Sequence, residues 1–226
     1  MIQIRRSADR GFSHFGWLES RHTFSFGSYF DPQQMGISEL RVVNEDKVQP
    51  SAGLDPNTHQ DIEIISYIID GKALHKDSLG NQKILEARSI QLLSAGTGVE
   101  FSEQNPSVDK ALHLMQIWIV PNTLAAPPSY QSAKVALKEG LSLLISPDGR
   151  ENSLQINQQV CAYQLKLKNT ACGLPEGNCA FLHVIKGELE VNGSYLQPGD
   201  GALFEDEPFI SVRTSGKIEA LYFTLP

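Results

Sequence analysis

The sequence has few cysteines and no spacing that would make them a disulfide framework. Cys161, Cys172 and Cys179 are the three cysteines among 226 residues. An odd, sparse count is typical of reduced thiols rather than of a small disulfide-stabilised domain. An alternative is a redox-responsive pair formed by Cys172 and Cys179, since they flank the turn-rich segment GLPEGN. The reactivity of such a pair would depend on exposure and on the fraction of thiolate.

The sequence also lacks a basic excess and a long apolar run. The formal net charge is -7, and direct binding to nucleic acid needs a basic face, so we expect no nucleic-acid partner. No apolar stretch approaches the length that spans a bilayer, which argues against a membrane protein. The opening residues MIQIRRSADRGF have no apolar core of a secretory signal, and we therefore expect a cytoplasmic protein.

The pattern that dominates the chain is that of short β-strands separated by turns. Ile62, Ile64, Tyr67 and Ile69 are spaced as in a strand with a buried face. Asp70-Gly71 and the segment 78–81 then predict hairpin turns. Further strands are predicted over 1–5, 40–44, 113–120, 141–145, 154–160, 161–168, 179–193 and 218–226. The sequence therefore predicts an all-β fold.

An internal echo predicts two copies of one antiparallel barrel. The hairpin over 62–74 resembles the segment FLHVIKGELEVNG, which is followed by Pro198-Gly199-Asp200-Gly201. Between the copies lies PNTLAAPPSY, whose paired prolines cannot occupy a central strand. We predict a first domain over 1–120, a linker over 121–140 and a second domain over 141–226. Within the linker, Ser132 to Glu139 could form a short helix.

The stretch from Asn57 to Glu103 resembles the metal-site region of the pirin family, whose members are bicupins. Members of that family carry a His-x-His pair before a strand like IEIISYIIDG, then an EHxDSxGN-like hairpin. A His-x-Glu pair follows in a GTGxxHSE-like segment. The segment HTFSFGSYFDP, which begins at His22, also resembles the family's opening signature. The positions of the first stretch that match are Glu63, Gly71, His75, Asp77, Ser78, Gly80, Asn81, Gly96, Gly98, Ser102 and Glu103.

The resemblance implies two jelly-roll-like cupin barrels and a divalent metal, typically iron, held by three histidines and one glutamate. Such an ion keeps positions open for oxygen and for a substrate such as quercetin. This chain retains His59 and Glu103, whereas Asn57 and Phe101 occupy the other two ligand positions. An amide oxygen is a poor exchange for an imidazole, and a phenyl ring donates nothing. We therefore expect no tightly bound metal, and an ion such as iron if one is present.

The other histidines are weaker candidates for metal ligands. His75 or His113 could replace a lost ligand, although no spacing demands it. His183 is the one candidate ligand in the second domain. We interpret His14 and His22 as surface or internally hydrogen-bonded histidines. Phe24 and Phe26 are two residues apart, which places them on one face of a strand in the core.

Three functions remain open at this stage. The first is a pirin-like protein that binds a small molecule or acts in regulation. Its metal site is degraded, and His59 and Glu103 are a remnant pair that hydrogen-bonds each other or a water. The second is a metal-dependent quercetin 2,3-dioxygenase-type enzyme, in which Glu103 is the candidate catalytic residue. The third is a thiol-based redox sensor that uses Cys172 and Cys179. We expect a small aromatic or flavonol-like ligand and a monomer.

Overall fold

The computed structural model describes residues 1–136 and 138–226, and these residues form β-strands almost throughout. Two 3₁₀ turns, Ser7–Asp9 and Arg150–Asn152, interrupt the strands. No helix in the described part of the chain has the length and apolar character needed to cross a bilayer. The strands of the first half are β1 (Ile2–Arg5), β2 (Gly11–His14), β3 (Leu18–His22), β4 (Leu40–Val48), β5 (Gly53–His59), β6 (Glu63–Asp70), β7 (Lys72–Asp77), β8 (Gln82–Glu86), β9 (Ser89–Ser94), β10 (Val99–Gln104), β11 (Leu112–Ile119) and β12 (Ser129–Lys134).

The second half repeats this organisation with shorter strands. They are β13 (Gly140–Ser146), β14 (Leu154–Gln155), β15 (Cys161–Lys168), β16 (Ala171–Gly173), β17 (Cys179–Lys186), β18 (Leu189–Val191), β19 (Ser194–Leu196), β20 (Gly201–Glu205), β21 (Ser211–Arg213) and β22 (Lys217–Leu225).

Each barrel consists of a seven-stranded sheet facing a four-stranded sheet. In the first barrel the orders are β12-β9-β6-β11-β4-β3-β2 and β5-β10-β7-β8. In the second they are β1-β20-β17-β22-β15-β13-β14 and β16-β21-β18-β19. The all-β fold of two barrels is therefore confirmed. The N-terminal strand β1 pairs with β20, so the first residues of the chain belong to a sheet of the second barrel.

The two large sheets pack against each other, and the largest apolar cluster lies between the barrels. On β6, Ile65, Tyr67 and Ile69 contact this central cluster, which also contains Phe181 and Phe223 of the second half. Residues of β6 on the opposite face point into the first barrel. Consequently β6 is buried on both faces from Glu63 to Ile69, which explains why its sequence is apolar almost continuously.

Two predictions of local structure are wrong, and one is right only in part. Ser132 to Lys134 continue β12 rather than forming a helix, because they pair with β9; of the remaining positions, Leu137 lies outside the described residues. The strand proposed over 154–160 covers only Leu154–Gln155. Phe24 and Phe26 do not share the face of a strand: Phe24 joins the core between the barrels, while Phe26 forms a tight bridge with Tyr29.

Candidate functional site

The first barrel contains a cavity of about 290 Å³. Strands β2, β3, β4, β5, β10 and β11 and the turn at Phe26 to Ser28 contribute its wall. The aromatic part of the wall consists of Phe15, Phe26, Phe101 and Trp118, and Phe26 meets Trp118 edge-on with ring centroids 5.2 Å apart. Cavities that hold small ligands are typically apolar with a few polar groups that fix orientation. The cavity is therefore the candidate functional site.

The four positions that the family resemblance singled out lie on two adjacent strands of the four-stranded sheet. Asn57 on β5 is paired directly with Phe101 on β10, and His59 is paired with Val99. The register of β10 shifts between Phe101 and Glu103. Asn57, His59 and Phe101 all line the cavity. Three of the four positions therefore line one wall of the cavity, and Glu103 is buried further along β10.

The residues at this wall do not form the four-ligand metal site of the resembling family. Phe101 is buried and packs into an apolar cluster with Ile64, Leu93 and Val99. Its ring also contacts His59, with centroids 5.2 Å apart. Within residues 1–136 and 138–226, no three His, Cys, Asp or Glu side chains are grouped in a way that could hold a metal ion. Of the four ligand positions of the resembling family, two hold an imidazole and a carboxylate, and two hold a neutral amide and a phenyl ring.

Glu103 lies deeper in the barrel and is held by neutral partners. Its carboxylate accepts hydrogen bonds from Ser66 Oγ at 3.2 Å and from Gln91 Nε2 at 2.8 Å. Burial raises the pKa of Glu103 to about 7, although the bond from Ser66 opposes this shift. A direct hydrogen bond between Glu103 and His59, one of the two possibilities for a remnant pair, is not observed. His59 instead packs edge-on against Trp118, with ring centroids 5.1 Å apart. Desolvation lowers the pKa of His59.

Neither histidine considered as a substitute ligand is among the residues that line the cavity, although the buried His75 Nδ1 forms no hydrogen bond with the described residues. His75 is fully buried, stacks on Tyr130 at 4.4 Å between ring centroids, and its Nε2 lies 2.9 Å from Asp77 Oδ2. His113 lies 2.9 Å from a carboxylate oxygen of Glu45. Residues His113 and Met115 share one face of β11, and Met115 packs into the core between the barrels. His113 therefore faces away from the cavity.

The second domain contributes its histidine to the junction of the barrels. His183 is buried, and its Nε2 lies 3.7 Å from Glu45 Oε2. Arg10 donates to the same carboxylate oxygen at 2.9 Å. Burial acts to raise the pKa of Glu45. The contacts with His113, His183 and Arg10 outweigh burial and hold this pKa well below its usual range. This cluster joins the barrels and is separate from the cavity.

Glu63 and Tyr67 also join the barrels. Glu63 is buried rather than at the surface, and it accepts a hydrogen bond from Asn157 Nδ2 at 3.1 Å. The Tyr67 hydroxyl donates to Glu219 Oε1 at 2.6 Å and accepts from Gln164 Nε2 at 2.5 Å. Because buried polar groups must be paired, these contacts fix the relative position of the two sheets.

The opposite wall of the cavity carries a polar network that sequence reasoning missed. His22 is buried and lines the cavity, with Nε2 2.9 Å from Ser13 Oγ and Nδ1 2.9 Å from Asn44 Oδ1. Ser20 Oγ donates to Asp46 Oδ1 beside it. Burial raises the pKa of Asp46 to about 6. The alternation of β4, which turns Asn44 and Asp46 inward together, was the signal that could have revealed this wall.

Gln116 has a buried amide nitrogen that lies beside Glu103. Its Oε1 accepts a hydrogen bond from Trp118 Nε1 at 3.2 Å. Its Nε2 is buried and forms no hydrogen bond with the described residues, although the amide lies near enough to Glu103 to favour the ionised carboxylate.

The three cysteines are free thiols. Cys172 packs against the core inside the second barrel, whereas Cys179 packs against the core between the barrels. Burial raises the pKa of both thiols, and nearby Glu205 and Asp206 act in the same direction on Cys179. Higher thiol pKa values lower the fraction of reactive thiolate. The redox pair stays a prediction.

Comparison with known proteins gives this architecture a family. The model of the family described as Pirin matches residues 4–119, and that of the quercetinase C-terminal cupin domain matches residues 143–225. Two cupin barrels in one chain define a bicupin. This chain is a bicupin that belongs to the pirin family.

Relatives of similar length cover the chain completely. Quercetin 2,3-dioxygenase of Escherichia coli (strain K12) is 38% identical over 229 residues, which span 100% of this chain and 99% of the relative. The pirin-like protein YhaK of the same strain is 37% identical over 234 residues and 100% of both chains. The crystal structure of the bacterial pirin YhhW in complex with nickel(II), from Escherichia coli, superposes with a TM-score of 0.96 at 38% identity. That match covers 100% of this chain and 99% of the other.

Proposed function

We propose that this pirin-family bicupin binds a small aromatic, flavonol-like molecule in the cavity of its first barrel, without a tightly held transition metal. The observation that carries the proposal is the direct pairing of Asn57 with Phe101 across β5 and β10. At these two positions the metal-site motif of the pirin family has histidines. Here one side chain is a neutral amide and the other is an apolar ring buried in the barrel wall.

The wall of the cavity suits a planar aromatic ligand. Phe26, Phe101 and Trp118 supply ring faces and edges, and aromatic rings pack favourably in offset or edge-on contacts. A volume near 290 Å³ lies at the lower end of the range for ligand cavities, which favours a compact ring system.

Calorimetric titration of quercetin into the purified protein tests the proposal. We expect binding in the presence of a chelator, because the contacts described need no ion. Trp118→Ala removes one ring of the cavity wall and should weaken binding. Trp17→Ala is the matched control, since Trp17 packs against a different apolar cluster. Binding that appears only after an ion is added would contradict the proposal.

The alternative function is that of a quercetin 2,3-dioxygenase-type oxidoreductase that uses an ion held by His59 and Glu103. Two findings favour it: a relative 38% identical bears that name, and another of the same identity was crystallised with nickel(II). In that reading Glu103 would act as ligand or base. Aerobic incubation of the native chain with quercetin and added iron decides between the two. Turnover that disappears in both His59→Ala and Glu103→Ala would establish the alternative.

A further inference from the structure

Three side chains in the cavity are joined by hydrogen bonds and have no part in the ligand binding proposed above. Ser13 on β2, His22 on β3 and Asn44 on β4 lie on three adjacent strands; His22 is paired with Asn44, and Ser13 lies diagonally across from His22. All three line the cavity. The Ser13 Oγ to His22 Nε2 distance is 2.9 Å, and the His22 Nδ1 to Asn44 Oδ1 distance is also 2.9 Å. Nucleophile, base and orienting group in hydrogen-bond sequence are the signature of an activated hydroxyl.

The partners of His22 fix which ring nitrogen carries the proton. Nδ1 faces Asn44 Oδ1, which only accepts, and Ser20 Oγ at 3.4 Å. The Ser20 hydroxyl donates its proton to Asp46, so toward His22 it can only accept. Nδ1 is therefore the protonated nitrogen, and Nε2 presents its lone pair to the Ser13 hydroxyl. This is the tautomer that a general base for Ser13 requires.

Ser13 is partly accessible to solvent and lines the cavity, whereas His22 behind it is buried. Ser13 is half-buried on the edge strand β2, and His22 is only 3% exposed. Phe15, Phe26 and Trp118 line the space into which a substrate would pass. Gln116 lines the same cavity.

We propose that Ser13, His22 and Asn44 form a hydrolytic site that cleaves small aryl esters in this cavity. Ser13 is the nucleophile, His22 is the general base and then the general acid, and Asn44 is a positioning residue. This activity goes beyond the ligand binding proposed above and needs no metal ion. Its failure would leave that proposal intact, because binding of quercetin is measured separately.

The reaction balances without any further reagent. Ser13 Oγ attacks the ester carbonyl carbon while its proton passes to His22 Nε2. The tetrahedral intermediate collapses, the bond to the leaving phenolate oxygen breaks, and His22 returns the proton to that oxygen. Water then attacks the acyl-serine, giving one proton to His22 and releasing the carboxylic acid as Ser13 recovers its proton. The net change is ester plus water to acid plus phenol.

The test uses the full chain with p-nitrophenyl acetate and with a fluorophosphonate probe. We expect the probe to modify Ser13, identified by mass spectrometry of the digested protein. Ser13→Ala should lose both the adduct and ester hydrolysis above the buffer rate. Ser194→Ala is the matched control, since Ser194 is also a half-buried strand serine but lies in the second barrel. Labelling of the native chain needs no variant, so the proposal can fail even where Ser13→Ala is poorly folded.

Asn44 and His22 are tested through the dependence on pH. His22→Gln should lower hydrolysis on the order of 100-fold, the usual contribution of a general base. Burial, together with the nearby Arg10, lowers the pKa of His22, so the acid limb of the native profile should lie below pH 6.5. Asp46, through Ser20, and Tyr29, whose ring stacks on His22 with centroids 6.3 Å apart, are the other ionisable groups on this side. Asn44→Asp adds a negative charge at Nδ1 and should keep hydrolysis while moving that limb to higher pH.

Two results would overturn the proposal. One is a fluorophosphonate adduct on another residue, or none at all, on the native chain. The other is hydrolysis by Ser13→Ala at the native rate. An unmoved pH limb in Asn44→Asp would remove Asn44 from the site, because a merely structural contact predicts no such shift.

Discussion

Replacing Asp46 with asparagine should stabilise this protein, and more so at high pH. Burial raises the pKa of Asp46 from 3.8 to about 6. The folded state therefore binds the proton more tightly than the unfolded state does. Stability is highest below pH 3.8 and is lost as the pH rises through 6. A rise of roughly two pKa units corresponds to about 3 kcal/mol of lost stability at pH 8, and to about half of that at pH 5.

Urea unfolding of the native chain and of Asp46→Asn at both pH values measures this effect. The asparagine keeps the shape of the side chain and an acceptor for Ser20 while it removes the buried charge. We expect a gain of about 3 kcal/mol at pH 8 and about half of that at pH 5. Asp55→Asn is the matched control, because Asp55 also lines the cavity but is exposed. A gain that is equal at the two pH values, or a loss at pH 8, would refute the reasoning.

Three further predictions follow from contacts described above. Tyr67→Phe removes the hydroxyl that joins the barrels and should lower the free energy of unfolding by about 1–3 kcal/mol; an unchanged urea midpoint would contradict this. Asn57→His combined with Phe101→His should raise the affinity for nickel(II) above that of the native chain, measured by equilibrium dialysis. Equal affinities would show that the residues at positions 57 and 101 do not limit metal binding. At pH 7, Cys172 and Cys179 should react with a thiol reagent more slowly than free cysteine does, because burial raises their pKa values; faster reaction would favour the redox sensor.

The fold could be predicted from the sequence because its patterns are local. Alternating apolar residues and glycine turns mark most strands, and the repeat of the hairpin marks the second barrel. The addition of β1 to the second barrel was not predictable, since its pairing with β20 depends on how the two halves of the chain pack together. The strand at Ser132 to Lys134 was also missed, because its pairing with β9 outweighs the weak helical pattern.

The candidate site was predictable on one wall only. The family motif located Asn57, His59, Phe101 and Glu103, and the register places them on adjacent strands. The opposite wall depends on which face of each strand turns inward. His22 seemed an isolated histidine in the sequence, but hydrogen bonds to Ser13 and Asn44 make it part of the cavity. Such contacts join residues far apart in the chain, and no local spacing encodes them.

Metal analysis of the purified native chain tests the central claim most directly. Protein expressed with added iron and nickel, and purified without chelator, is analysed by inductively coupled plasma mass spectrometry beside His59→Ala. The account predicts far less than one transition-metal ion per chain in both, because Phe101 and Asn57 replace two imidazoles. One ion per native chain that is lost in His59→Ala would contradict it and would make the dioxygenase the better reading.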